Sequence, residues 1–341
     1  MLDAIRKLKT NLLNMQIDDL MKILSASSFV APLLILYLLY PESYDRTFKG
    51  RLYYIFFLWL TFLELIIKWR NIDVKTNKLK STRFIAFSVT LLLPMIYVLI
   101  ANFFGLNTII IEASPKHYGS DAWAKLMPLA IEYLVFTVLF SLIMLLAYGI
   151  KGLKFFSLPI ALIGIIGLIF FIDNLYPYGE FAPFQILVPT TANLAAILLS
   201  LMGYQTEWRG QIYKTPILRV WNERKDASLG IAWPCSGIDS LIIYSVITLL
   251  FLEDSEISRK QRIVYFIIGA VITYFINILR IVTIFVIAVE YGAASLEVQR
   301  FHDYYGPLYS MIWIIMYQLI IVKAPVLWRK ISSNLLKKNK N

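Results

Sequence analysis

Long runs of apolar residues alternate with short polar or basic segments along most of the chain. The runs are about 17–25 residues long, which is the length that a helix needs to cross the hydrocarbon core of a bilayer. They predict an all-α polytopic membrane protein with about eight transmembrane helices. The predicted spans are Ile23–Tyr40, Leu52–Trp69, Phe84–Phe104, Met127–Tyr148, Phe155–Ile172, Ser236–Leu252, Ile263–Val289 and Pro307–Val326.

The charged residues indicate which side of the membrane each connecting segment faces. The chain has a formal net charge of +11, but only 16% of its residues are charged, compared with about 25% in soluble domains. Short basic segments beside membrane helices tend to stay in the cytoplasm. This rule places 70–83, 149–154, 253–262 and the C-terminus inside, and 105–126 and 173–183 outside. Because the positive charge is concentrated in such segments, it does not indicate nucleic-acid binding.

A ninth apolar run, Phe184–Met202, is interrupted by a proline and three polar residues within 189–193. The segment before it is outside, and residue 235 must also be outside because the span that follows ends at the basic segment 253–262. We therefore expect 184–202 to be a re-entrant or interfacial helix on the outer side, where polar breaks are tolerated if protein covers them. The alternative, nine crossings with one loop that violates the charge rule, stays open because the rule is a bias.

The segment 203–234 is polar and contains several glycines and a proline. Its β-prone stretches Gln211–Tyr213 and Ile217–Trp221 predict a small extracytoplasmic β-hairpin-like loop. The first 22 residues lack a small-residue cleavage site, so the first span is expected to be a retained anchor. The predicted organisation is a cytoplasmic amphipathic N-terminus (1–22), N-terminal transmembrane helices (23–172), an extracytoplasmic re-entrant helix and loop (173–234), a three-helix core (235–326) and a basic cytoplasmic tail (327–341).

Cys235 is the only cysteine of the chain, so no intrachain disulfide can form. It precedes an apolar helix, in the segment 233–239 of sequence WPCSGID. A thiol at a helix N-terminus faces unsatisfied backbone N–H groups and the positive end of the helix dipole, and both favour the nucleophilic thiolate. The other interpretation is a small apolar side chain that fills space.

Arg280 lies deep in the predicted span Ile263–Val289, about 26 Å from its inner end at 1.5 Å per residue. An arginine at this depth costs several kcal/mol unless it faces protein, water or a partner. It is either a structural arginine bonded to backbone carbonyls or a fixed cation that stabilises a thiolate or an oxyanion. Asn277, one turn earlier, adds an amide on the same face.

His302 precedes the last predicted span. An unperturbed imidazole has a pKa of about 6.5, which suits proton transfer at neutral pH. It is otherwise an interfacial histidine whose ring is satisfied by hydrogen bonds. The predicted topology brings Cys235, Arg280 and His302 to the outer ends of three successive helices. A nucleophile, a cation and a base at one level are the minimum apparatus for acyl transfer.

These residues resemble the exosortase/archaeosortase family, and more narrowly its archaeal, thaumarchaeosortase-like branch. The family pattern is a Cys-Ser/Ala-Gly-Ile/Leu turn, an Asn-x-x-Arg helix and a downstream histidine or arginine. Here the three parts are Cys235–Ile238, Asn277–Arg280 and His302, in the family's order and spacing. The resemblance covers about residues 170–326. The third position of the pattern, occupied here by His302, varies within the family.

The resemblance implies a membrane-embedded cysteine transpeptidase with a site on the extracytoplasmic side of the cell membrane. Such an enzyme cleaves C-terminal sorting signals of secreted proteins and transfers the new carboxyl end to a cell-surface or lipid acceptor. Cys235 would be the nucleophile, Arg280 the oxyanion or thiolate stabiliser and His302 the general acid and base. The supporting residues would be Ser236, Gly237, Asp239 and Asn277. No motif indicates a metal ion or an organic cofactor.

Two other functions remain open at this point. A transporter or non-enzymatic scaffold would use Arg280 as an anion site and would work without Cys235. A membrane protease would only hydrolyse its substrate, and since the acceptor decides between hydrolysis and transfer, the residues do not separate them.

Overall fold

The computed structural model describes residues 17–46, 49–72, 74, 82–117, 119–177, 180–212, 215–253 and 257–338, with backbone only at 182, 322 and 324–338. The predicted N-terminal segment 1–22 and basic tail 327–341 therefore lie largely outside the description. The chain divides into two compact units, Met1–Pro177 and Tyr178–Asn341.

The first unit consists of helices in its described part. The helices are α1 (17–27), α2 (Val30–Leu39), α3 (Leu52–Lys68), α4 (Thr82–Phe103), α5 (Leu106–Ala113), α6 (Met127–Tyr148), α7 (Ile150–Phe155) and α8 (Ser157–Leu175).

Aromatic side chains form the centre of this unit. Phe29 meets Phe57, Phe136 and Phe140 edge to face, with ring centroids 5.3–5.7 Å apart. The buried charge beside this core is paired, because Arg51 donates two hydrogen bonds of 2.8 Å to the carboxylate of Glu132. Such pairing is what allows ionised groups to stay inside a bundle of apolar helices.

The second unit combines helices with a small sheet. Its helices are α9 (Ala182–Gln185), α10 (Val188–Leu201), α11 (Ile238–Glu253), α12 (Arg259–Tyr291), α13 (Leu296–Arg300) and α14 (Gly306–Lys338). Its strands are β1 (Gln205–Ile212), β2 (Thr215–Trp221) and β3 (Asp226–Gly230), which form an antiparallel sheet in the order β1-β2-β3.

The sheet differs from the hairpin that the sequence predicts. Gly210, a residue type that is expected to interrupt a strand, lies at a register shift between Trp208 and Gln211. Strand β1 therefore continues through a bulge. A third strand forms because Asp226–Gly230 pairs with β2, and the Arg219 side chain donates to Asp226 at 2.9 Å. Tertiary pairing thus makes a strand of a segment whose composition is polar.

One face of the sheet packs on α10 and α12. Leu218 and Val220 of β2 join a buried cluster with Leu199 of α10 and Phe285 and Ala288 of α12. Helix α12 starts at a capping box formed by Ser258 and Gln261 and runs for 33 residues. Its packing against α10, α11 and α14 brings the residues of the candidate site together.

Six helical segments of the described part are long and apolar enough to cross a membrane. They are Ile17–Leu39, Thr82–Phe103, Ala124–Tyr148, Ser157–Leu175, Pro183–Leu201 and Arg259–Tyr291. The prediction of about eight spans is therefore not confirmed. Helices α3 and α11, in two of the predicted spans, have 17 and 16 residues, at or just below the lower limit of about 17 residues for a crossing. The predicted last span lies within α14, of which many side chains are outside the description.

The ninth apolar run forms a helical segment. Pro183–Leu201 has the length and composition of a crossing, so a re-entrant or interfacial helix is not confirmed. Thr191, in its polar break, is fully buried and hydrogen-bonded inside the unit.

Candidate active site

Cys235 ends a short 3-10 turn, Trp233–Cys235, and α11 begins a few residues later at Ile238. The turn is tight: the backbone N–H of Cys235 donates to the carbonyl of Ala232 at 3.0 Å, and that of Ser236 donates to Trp233 at 3.0 Å. The thiol therefore lies beside the N-terminus of α11, and the residue is partly exposed.

Two neighbouring helices hold the carbonyl groups of this turn. From α12, the Asn277 amide donates to the Cys235 carbonyl at 2.9 Å. From α10, the Thr191 hydroxyl donates to the Ser236 carbonyl at 2.8 Å, and Tyr274 of α12 lies 2.8 Å from the same hydroxyl. Since Thr191 has one proton to give, the Tyr274 hydroxyl is the donor to it. The position of the turn that carries the thiol thus depends on contacts from two helices, α10 and α12.

Gly237 is required by two features of the turn. Its φ of +93° lies in the region that residues with a side chain rarely adopt. A Cβ at this position would lie 2.8 Å from the Asn277 amide nitrogen. The glycine therefore permits both the turn and the close approach of Asn277.

His302 lies on a π-helical turn, Phe301–Tyr305, between α13 and α14. Its Nε2 is 3.3 Å from the Cys235 sulfur, and its Nδ1 is 2.7 Å from a carboxylate oxygen of Asp303. The side chains of His302 and Asp303 remain 30% and 33% exposed, so solvent reaches the pair. Insertions of this π type in α-helices are frequent at functional sites.

Arg280 is buried and holds the turn that carries His302. Its Nη2 donates to the His302 carbonyl at 3.2 Å. A Cβ at Gly306, the first residue of α14, would lie 2.6 Å from Arg280 Nε, so the absent side chain makes room for the guanidinium. The arginine lies about 32 Å along α12 from Arg259, in the C-terminal half of a helix about 50 Å long.

The charges of the site favour the thiolate. Burial raises the pKa of the Cys235 thiol, but His302 and, after it, Arg280 lower that pKa by more, so it lies below its usual range. For His302, burial lowers the pKa, while Cys235 and Asp303 raise it to about 9 in spite of Arg280. The two groups therefore stabilise each other as a thiolate and an imidazolium.

The remaining predicted residues have different positions. Ser236 is buried, and its hydroxyl donates to the Trp233 carbonyl at 2.8 Å, so it stabilises the turn. Asp239 accepts a hydrogen bond from the backbone N–H of Ser240 at 2.7 Å, and its charge raises the pKa of Cys235, against the effect of His302.

Three residues of the site were missed in the sequence. Thr191 belongs to the polar break of the ninth run, which indicated a topological irregularity rather than a contact with the turn. Tyr274 carried no signal in the sequence. Asp303 is next to His302 in the chain, and a carboxylate beside a histidine was the available signal.

The apolar helices define the class of this chain: it is a multi-pass membrane protein. The model of the family described as transmembrane exosortase matches residues 49–319, about four-fifths of the 341-residue chain, so the chain belongs to that family. No curated protein and no solved structure matches it. In general terms, membership makes it a membrane-embedded, sorting-related protease or transpeptidase, since exosortases act on C-terminal sorting signals of secreted proteins.

Proposed function

We propose that this protein is a cysteine transpeptidase that cleaves C-terminal sorting signals of secreted surface proteins and transfers the new C-terminus to a cell-surface or lipid acceptor. The observation that carries the proposal is the 3.3 Å distance between the Cys235 sulfur and Nε2 of His302. A thiol and an imidazole at hydrogen-bond distance, with the cation of Arg280 beside the histidine, match the requirements of acyl transfer through a thioester. Within the family, we propose the archaeal, thaumarchaeosortase-like branch from the resemblance of the sequence alone.

In the first half-reaction, the Cys235 thiolate forms a bond to the carbonyl carbon of the scissile peptide. The tetrahedral intermediate collapses when its C–N bond breaks. The His302 imidazolium gives its proton to the leaving amine, which departs as the N-terminus of the cleaved tail. The N-terminal part of the substrate stays on the enzyme as a thioester of Cys235.

In the second half-reaction, an acceptor amine or hydroxyl attacks the thioester carbonyl. His302, now neutral, takes the proton of the attacking group, and the thiolate leaves as the new bond forms. If water attacks instead, the product is a free carboxylate and the enzyme is a hydrolase. The residues of the site serve both outcomes, and the acceptor decides between them.

Arg280 contributes a fixed positive charge. It lowers the pKa of Cys235 and, in this proposal, stabilises the thiolate or the oxyanion of the tetrahedral intermediate. Its hydrogen bond to the His302 carbonyl gives it a further part, because it holds the turn on which the imidazole is carried.

The substrate would reach the site within the membrane. We place the site on the extracytoplasmic side of the cell membrane, from the charge bias of the connecting segments. A substrate with its own transmembrane helix arrives by lateral diffusion with its scissile bond already at a defined depth. The proposed signal has three parts: a short motif, an apolar helix of about 20 residues and a basic cluster on the cytoplasmic side.

The test is a comparison of Cys235→Ala with the unchanged protein, reconstituted in vesicles with a candidate substrate that ends in such a three-part signal. We expect Cys235→Ala to abolish processing, because no thioester can form, while the control variant Ser245→Ala in the following helix, α11, keeps the rate. Mass spectrometry of the processed protein separates an added acceptor from a free carboxylate. Processing by Cys235→Ala at the normal rate would refute the proposal.

A further inference from the structure

We propose that Asp303 is a positioning residue that orients the His302 imidazole and holds its charge, a role that rests on the proposed function of the Cys235–His302 pair. Asp303 acts through His302, whose Nδ1 is 2.7 Å from its carboxylate.

Each ring nitrogen of His302 has its own partner. The carboxylate of Asp303 accepts only, so the proton on Nδ1 points to it. Nε2 then faces the Cys235 sulfur at 3.3 Å. When the imidazole is neutral, its proton stays on Nδ1 and Nε2 is the free base, which is the tautomer that can take a proton from an acceptor nucleophile.

The backbone of the π-helical turn supports this arrangement. His302 and Asp303 are consecutive residues, and their side chains meet on the turn Phe301–Tyr305. Arg280 ties the same turn by donating to the His302 carbonyl. Arg280 therefore holds the backbone carbonyl of His302, while Asp303 holds Nδ1 of the ring and the thiol holds Nε2.

The charges around His302 explain why a carboxylate is needed. Cys235 faces it from the turn before α11, Arg280 from α12 and Asp303 from its own turn, while Asp239 of α11 acts on Cys235. Arg280 disfavours a second cation beside it, so the imidazolium depends on the two negative groups. If Asp303 were neutral, the thiolate alone would have to offset both burial and Arg280.

The experiment measures the rate at which iodoacetamide alkylates the purified full-length chain between pH 5 and pH 10. Cys235 is the only cysteine, so the rate reports its thiolate alone. We expect Asp303→Asn to lower the rate on the acid side of the profile by about tenfold for each unit by which the pKa of Cys235 rises. The midpoint of the profile should move to higher pH, and Asp303→Glu should recover most of the loss.

The matched control is Glu297→Gln, which removes an exposed carboxylate from α13, just before the π-helical turn. An Asp303→Asn profile equal to that of Glu297→Gln would overturn the proposal. So would a loss of substrate processing with an unshifted alkylation profile, which is what a merely structural role produces. If Asp303→Ala does not fold, the nearly isosteric Asp303→Asn carries the test.

The alkylation measurement needs no substrate. If the unchanged protein never processed a sorting signal, that result would count against the proposed function. The comparison of its alkylation profile with that of Asp303→Asn would still test the role of Asp303. The two failures are therefore distinguishable.

Discussion

Gly306→Ala tests whether Arg280 is held against the start of α14. The backbone of Gly306 is helical, with φ −61° and ψ −54°, so alanine is compatible with the local conformation. On helix propensity alone, replacing glycine by alanine in a helix interior stabilises a protein by up to about 1 kcal/mol. If nothing packed against Gly306, the variant would be neutral or more stable.

The structure predicts the opposite result. The new Cβ would lie 2.6 Å from Arg280 Nε, 2.9 Å from its Cδ and 2.9 Å from the backbone carbonyl oxygen of Phe301. Arg280 has little freedom to yield because it is buried and bonded to the His302 carbonyl. Overpacking of this kind costs about 1–3 kcal/mol. If the cost falls wholly on the transition state, kcat/KM drops by about 5- to 160-fold, at 1.36 kcal/mol per factor of ten.

The assay follows kcat/KM for processing in vesicles, the rate of Cys235 alkylation and the thermal midpoint in detergent. Ser310→Ala is the control in the first turns of α14, because it removes a buried hydroxyl that has no hydrogen-bond partner among the described residues and adds no atom. In an Arg280→Ala background the effect of Gly306→Ala on alkylation should shrink, since two of the three atoms that the new Cβ meets are gone and only the Phe301 carbonyl oxygen remains. A Gly306→Ala protein with unchanged processing and alkylation rates and a raised thermal midpoint would refute the contact between Gly306 and Arg280.

Three other predictions concern the same site. Because the pKa of Cys235 is lowered and that of His302 is raised to about 9, processing should fall above about pH 9 as the imidazolium loses its proton, and fall again in acid as the thiolate is protonated; a rate that still rises above pH 9 would contradict the ion pair. Thr191→Val should leave the Ser236 carbonyl without its donor and cost about 1–3 kcal/mol, seen as a lower thermal midpoint and slower alkylation; an unchanged midpoint would contradict it. A membrane-impermeant maleimide should label Cys235 in intact cells, and labelling only after permeabilisation would place the thiol on the cytoplasmic side.

The membrane class and the positions of most helices follow from the sequence. A stretch of about 20 apolar residues has few stable arrangements other than a helix that satisfies its own backbone in lipid. The same logic made Arg280 conspicuous, because a charge deep in an apolar run is costly without a partner. Cys235 and His302 stood out because the chain has a single thiol and because the charge pattern predicted a common level for all three residues.

The finer features depended on contacts between distant segments. The β-prone stretches predicted a hairpin, but the pairing of Asp226–Gly230 with β2 decided on three strands. The polar break at Thr191 was interpreted as a topological irregularity, and only packing against the Cys235 turn gave its hydroxyl a partner.

Asp303 shows the same limit within one turn of chain. Adjacency to His302 in sequence does not bring two side chains together, because consecutive residues on a regular helix do not face each other. The π-helical turn, held by Arg280 from another helix, sets the geometry in which the carboxylate reaches Nδ1. The sequence by itself determined which groups this membrane protein contains and which of them lie within apolar runs. The tertiary structure decided which of them meet, because hydrogen bonds and ion pairs form over about 3 Å, a precision that apolar periodicity and charge bias do not carry.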